Sequence, residues 1–159
     1  MKIKALSLPL NAKIYSMSNF FILIAEDDAD DRFLLKTAFE EKGYQEKVEF
    51  VENGVELINF LSDIALKPNG DRYLPGFILL DLNMPKKDGR EVLKEIKQHP
   101  DFKKIPIIVF TTTKNENEIK RCYELGANTY IVKPISFDAL LRVIEDIRNY
   151  WLNTASVPA

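Results

Sequence analysis

The chain has 159 residues, the size of one ordinary domain. Hydrophobic residues make up 46% and charged residues 29%, with 22 Lys and Arg against 24 Asp and Glu for a net charge of −2. That balance argues against a protein held on nucleic acid or anionic lipid by bulk charge and leaves only a local patch open. The single cysteine, Cys122, excludes an intrachain disulfide and suits a reducing cytosol. No apolar run approaches the roughly 20 residues of a membrane helix. The apolar patch Ala5–Leu10 is broken by Pro9 and followed by Lys13, so it does not read as a signal peptide. A cytoplasmic protein with no nucleic-acid or membrane partner is expected.

Residues 1–18 carry no periodic pattern and read as an N-terminal extension, with Met17 where a shorter domain could start. Phe20–Ala25 is continuously apolar, as expected of a parallel strand covered on both faces. Asp30–Lys42 carries Phe33, Leu34, Thr37 and Ala38 at helical spacing and stops at Gly43. Lys47–Val51 reads as a short strand, and Gly54–Ala65 as a helix with a stripe of Val55, Ile58, Leu61 and Ala65. Lys67–Gly76, with two prolines and two glycines, is a loop. The strand Phe77–Leu80 and the helix Gly89–Gln98 follow, the helix facing inward with Val92, Leu93 and Ile96. Ile107–Phe110 is a strand. Asn115 with Glu118 opens a helix that Gly126 closes. Thr129–Val132 is the last strand, and Ser136 caps a helix reaching about Asn153, beyond which 154–159 is a tail. Strands separated by helices run parallel, which predicts a three-layer α/β sandwich over residues 19–153.

The polar residues that matter stand where apolar runs stop. Glu26 and Asp27 follow the first strand, Asp81 the third, Thr111 the fourth and Lys133 the fifth. In an open parallel sheet these positions share the carboxyl edge, where ligands bind. Positions 26–31 hold five carboxylates in six residues, and the fold adds Asp81 beside them. Such crowding of like charge is relieved by a hard divalent cation, and an oxygen shell suits Mg2+. Asp28, Asp30 and Asp31 read instead as cap and first-turn residues complementing the helix dipole. Metal binding is assigned to Glu26 and Asp27 with Asp81. Beside a metal and a lysine, Asp81 can act as a nucleophile forming an acyl phosphate. Lys133, restricted by Pro134, is a fixed positive charge for a phosphoryl oxygen. The three residues Thr111-Thr112-Thr113 read first as β-branched strand residues, though the Thr111 hydroxyl at that edge is placed to bond a phosphoryl group. His99, the only histidine, reads as a helix-end residue favourable to the dipole, and Cys122 as a small core residue.

Together these residues resemble the receiver domain of bacterial two-component response regulators, over about Phe20 to Asn153. The resemblance rests on Glu26-Asp27, on Asp81 within Leu-Leu-Asp-Leu-Asn-Met-Pro, and on Gly89, Thr111, Tyr130 and Lys133-Pro134. The intervals of 30 residues from Asp81 to Thr111 and 22 from Thr111 to Lys133 also match. It implies a flavodoxin-like (βα)5 fold with a parallel sheet in the order 2-1-3-4-5. It further implies that Asp81 accepts a phosphoryl group from a sensor histidine kinase or a phosphotransfer protein. Mg2+ would be bound by Asp27 and Asp81, by Glu26 through water and by the Asn83 carbonyl. Lys133 would contact the phosphoryl group across a cis Lys133–Pro134 bond, and Thr111 with Tyr130 would form the switch pair. More narrowly, Met84–Leu93, the long loop before the third strand and Tyr150-Trp151 resemble single-domain regulators that partner phytochrome kinases.

A flavodoxin-like FMN protein would need a hydroxyl- and glycine-rich phosphate loop where this chain has acids. A haloacid-dehalogenase-type phosphatase would carry a second aspartate where Asn83 stands, and a P-loop signature is missing. The remaining alternative is a degenerate receiver acting as a docking module, against which the full set Glu26, Asp27, Asp81, Thr111 and Lys133 argues. The last helix shows a core stripe of Phe137, Leu140, Ile144, Ile147 and Trp151. Leu141, Val143, Tyr150 and Leu152 are left over, and a homodimer through this helix is the expectation they support.

Overall fold

Apolar strands and amphipathic helices alternate as their spacing requires. The computed structural model describes residues 20–158, apart from positions 42 and 45; the extension assigned to residues 1–18 lies outside them. The elements are β1 (Phe21–Ala25), α1 (Ala29–Glu41), β2 (Lys47–Val51), α2 (Gly54–Ala65), β3 (Phe77–Leu80) and α3 (Gly89–Gln98). They continue with β4 (Ile107–Thr111), α4 (Glu116–Glu124), β5 (Thr129–Val132) and α5 (Phe137–Arg148). The strands form one sheet in the order β2-β1-β3-β4-β5, with every neighbouring pair parallel. This is the expected flavodoxin-like architecture.

Side chains alternate across each strand, so the sheet builds two cores. Ile22, Ile24, Phe77, Leu79, Ile108 and Phe110 pack with Leu35, Ala38 and Phe39 of α1 and Leu140, Ile144 and Ile147 of α5. Leu23, Ala25, Ile78, Leu80, Ile107 and Val109 pack with Leu57 and Leu61 of α2, with Val92, Leu93 and Ile96 of α3, and with Cys122 of α4. At roughly 25 cal/mol per Å² of apolar surface removed from water, these two layers are the main source of stability.

Two helices are rotated from their expected stripes. In α1 the buried residues are Leu35, Ala38 and Phe39, while Phe33 and Leu34 are 67% and 40% exposed. Both sets satisfy helical spacing and each offers one Phe and one Leu, so only packing on the sheet selects Leu35, Ala38 and Phe39. In α2, Leu57, Leu61 and Ile64 are buried and Val55 faces out. The α3 stripe is as expected.

Beyond Arg148 the chain forms a π-helical turn, Asn149–Thr154, where the spacing predicts a continuing α-helix. The Ala155 amide donates to the Tyr150 carbonyl at 2.6 Å. This wider turn brings Trp151 and Leu152 together onto the core shared by α1 and α5, which Leu141 and Val143 also join. Of the four residues left over from the stripe, only Tyr150 stays well exposed, at 54%. His99 stands at a helix end, as expected, and its ring has partners of its own. Its Nδ1 accepts from the amides of Asp101 at 3.0 Å and Phe102 at 3.3 Å, and its ring stacks on Phe102. His99 is the C-cap residue of α3, and its ring also caps the following turn.

Candidate functional site

The residue directly after β1, β3 and β5 is fixed by the strand beside it. The Glu26 amide donates to the Val51 carbonyl at 3.0 Å, the Asp81 amide to Ala25 at 3.1 Å and the Lys133 amide to Thr111 at 2.8 Å. These bonds extend the sheet ladder by one step and hold Glu26, Asp81 and Lys133 in register at the carboxyl edge.

Glu26 and Asp81 are 1% and 6% exposed, while Asp27 points to solvent. Carboxylate oxygens of Glu26, Asp27 and Asp81 lie within 4.8 Å of one another. The Lys133 ammonium stands among carboxylates, 2.5 Å from Glu26 Oε1, 2.9 Å from Asp31 Oδ2 and 3.4 Å from Asp81 Oδ2. Burial pushes the Glu26 carboxyl up to about 7, opposed by its hydrogen bond from Lys133 and assisted by the charge of Asp81. For Lys133, burial works against the ammonium, but hydrogen bonds to Glu26 and Asp31 and the charge of Asp81 outweigh it. The net direction is up, and the lysine stays charged. One ammonium among these acids leaves negative charge uncompensated, and three converging carboxylates suit a hard divalent cation.

Asp81 Oδ1 also accepts from the Asn83 amide at 3.3 Å, which starts the turn after β3. Asn83 itself is exposed. Behind the turn, a β-carbon added at Gly89 would stand 2.6 Å from the Leu82 Cα, so only glycine lets α3 start this close. Thr111 is fully buried, and its Oγ1 has no hydrogen-bond partner among the described residues. A buried hydroxyl without a partner is costly, and it suits a ligand oxygen brought to this edge. Tyr130 donates its hydroxyl to the Thr113 carbonyl at 2.8 Å, two residues beyond Thr111. Burial raises the Tyr130 phenol above its ordinary range.

Two residues escaped the sequence reading and one bond differs from it. Asp31, read as a helix-dipole residue, reaches Lys133 at 2.9 Å, a pairing across 102 residues that leaves no local signal in the sequence. The Arg32 guanidinium donates to the Glu26 carbonyl at 3.0 Å and the Asp27 carbonyl at 2.8 Å, pinning the acidic loop from its backbone side. No cis peptide occurs among the described residues, so the Lys133–Pro134 bond is trans. Trans is the intrinsically favoured isomer by about 0.5–1 kcal/mol, and the Lys133 amide bond to Thr111 forms with it in place.

The chain belongs to the response regulator receiver domain family, whose model matches residues 22–145. It is a two-component signalling domain of flavodoxin-like fold, with a site for a divalent metal. Response regulator Rcp1 of Synechocystis is 39% identical over 138 residues, covering 87% of this chain and 92% of that protein. The probable methanogenesis regulatory protein FilR2 of Methanothrix harundinacea is 38% identical over 133 residues, 84% of either chain. Among solved structures, the phosphorylated cyanobacterial phytochrome response regulator RcpA superposes with a TM-score of 0.78 at 38% identity, over 87% of this chain and 97% of that one. The Mn2+-bound form of Rcp1 superposes with a TM-score of 0.76 at 37% identity, over 87% of this chain and 99% of that one. No helix among the described residues is long and apolar enough to cross a membrane.

Proposed function

We propose that Asp81 is the phosphoacceptor of this receiver, loaded by a histidine kinase or a phosphotransfer protein. The observation that carries the reading is the buried Asp81 carboxylate itself, 3.4 Å from the Lys133 ammonium and clustered with Glu26 and Asp27. In the transfer an Asp81 oxygen attacks the phosphorus of a phosphohistidine. The P–N bond breaks, the imidazole leaves, and an acyl phosphate forms on Asp81. Lys133 opposes charge on one phosphoryl oxygen, and the buried Thr111 hydroxyl donates to another. Glu26, Asp27 and Asp81, with the Asn83 carbonyl, would hold Mg2+, which when bound neutralises charge on the transferring group. Thr111 and Tyr130 then report the modification, with Tyr130 leaving or keeping its bond to Thr113.

The similarity to RcpA, a cyanobacterial phytochrome response regulator, favours a phytochrome-type kinase as the donor. A homodimer through α5 rests on a smaller surface than the sequence implies, centred on Tyr150 and its edge-on partner Trp151. Sedimentation of wild type against Tyr150→Ser, with and without a phosphate mimic, tests it; a monomer throughout rejects it. The phosphoacceptor reading is tested by incubation with acetyl phosphate and Mg2+. A mass increase of about 80 Da mapped to the Asp81 peptide supports it. Absence of any adduct leaves a docking module that works without phosphorylation.

A further inference from the structure

Lys133 has three donors and three carboxylate partners: Glu26, Asp31 and Asp81. Two of these partners, Glu26 and Asp81, also belong to the group that could hold a cation, whereas Asp31 does not. A divalent cation held there competes for the same oxygens and repels the ammonium beside it. The ammonium cannot travel far, because the Lys133 backbone is tied to Thr111 and its side chain is only 12% exposed. Asp31 is the partner it keeps.

We propose that Asp31 is a positioning residue, the carboxylate that receives Lys133 when a divalent cation takes Glu26 and Asp81. Its place in the fold suits the task. Asp31 lies in the first turn of α1, its amide bonded to Asp28 Oδ1 at 2.9 Å, with a side chain 38% exposed at the mouth of the site. Arg32, the next residue, ties the same turn to the carbonyls of Glu26 and Asp27. Asp31 is thus held at a fixed distance from the cation group without entering it. An aspartate serving only the helix dipole would have no need to face a particular ammonium. The inference rests on the phosphoacceptor reading for its purpose, since Lys133 parked on Asp31 stays beside Asp81 for an incoming phosphoryl oxygen.

The test is a double-mutant cycle read by Mg2+ binding, using calorimetric titration of the full chain as wild type, Asp31→Ala, Lys133→Met and the double variant. Asp31→Ala should weaken Mg2+ binding roughly three- to tenfold where Lys133 is present and less than about twofold in the Lys133→Met background. Asp31→Asn should behave as Asp31→Ala, because the carboxylate charge holds the ammonium. Equal weakening in both backgrounds overturns the proposal, since Asp31 would then act only as one more negative charge. Unchanged binding in Asp31→Ala or Asp31→Asn overturns it too. Circular dichroism confirms each fold, and Lys133→Gln replaces Lys133→Met if the latter unfolds. A chain that forms the Asp81 adduct and binds Mg2+ but gives an additive cycle loses only this inference. A chain without the adduct loses the phosphoacceptor reading instead.

Discussion

Gly89 lies so close to Asp81 that a β-carbon on it would stand 2.4 Å from the Asp81 carbonyl oxygen. The start of α3 is thereby pressed against the segment that carries the site, and the Gly89 amide donates to the Leu82 carbonyl at 2.9 Å. Gly89→Ala forces backbone to move against backbone. The variant should lose about 1–3 kcal/mol in urea unfolding, and its rate of adduct formation with acetyl phosphate should fall as Asp81 shifts. Wild-type stability in the alanine variant would mean that the turn yields freely.

Asp81→Asn removes the nucleophilic oxygen while keeping shape and volume. The variant should fold as wild type does and show none of the roughly 80 Da adduct after acetyl phosphate and Mg2+, read by intact-mass spectrometry. An adduct persisting on Asp81→Asn would place the acceptor on another side chain.

The sheet and the edge that carries the site were legible because each signal was local. Apolar runs such as Phe77–Leu80 need covering on both faces, and a polar residue directly after such a run falls at the strand end. The stripes of α1 and α2 were not legible, since Phe33-Leu34-Leu35 and Val55-Glu56-Leu57 each offer two faces with helical spacing and only the sheet selects one. The role of Asp31 was hidden for another reason. In sequence it is one acid among several in a helix's first turn, and only the fold brings Lys133, 102 residues away, to its carboxylate. The π turn after Arg148 has no residue signature; it follows from packing both Trp151 and Leu152 on one core.

The crowding of Glu26, Asp27 and Asp81 should itself be measurable in the absence of metal. Asp27 is the exposed member of the group, so its removal leaves no buried group unpaired. Asp27→Ala should melt a few degrees above wild type in EDTA, because one repelling charge is gone. Wild type should gain stability with millimolar Mg2+ through mass action, and the variant should gain little or none. Equal stabilisation of both proteins by Mg2+ would remove Asp27 from the ligand set.

Far from the site, Lys97 should give the fold a pH dependence of its own. Its Nζ donates to the carbonyls of Lys103 at 3.1 Å and Ile105 at 2.8 Å. Its stem covers Gly126, where an added β-carbon would lie 2.8 Å from the Lys97 Cγ. Burial pulls the Lys97 ammonium down from 10.5 to about 8. The unfolded chain therefore binds more protons at this residue than the folded chain between pH 8 and 10.5, and stability rises with pH across that window. Below pH 8 both states are protonated and the cost of holding the charge is fully present. Lys97→Met keeps an apolar stem over Gly126 and removes the titration. The stability of wild type relative to Lys97→Met should climb between pH 7.5 and 10.5 by at most about 3 kcal/mol, and by less where solvent reaches the ammonium. Urea unfolding of both proteins at several pH values in this range measures it. A constant difference would show that Lys97 keeps its proton on folding, held by the two carbonyls rather than released by burial.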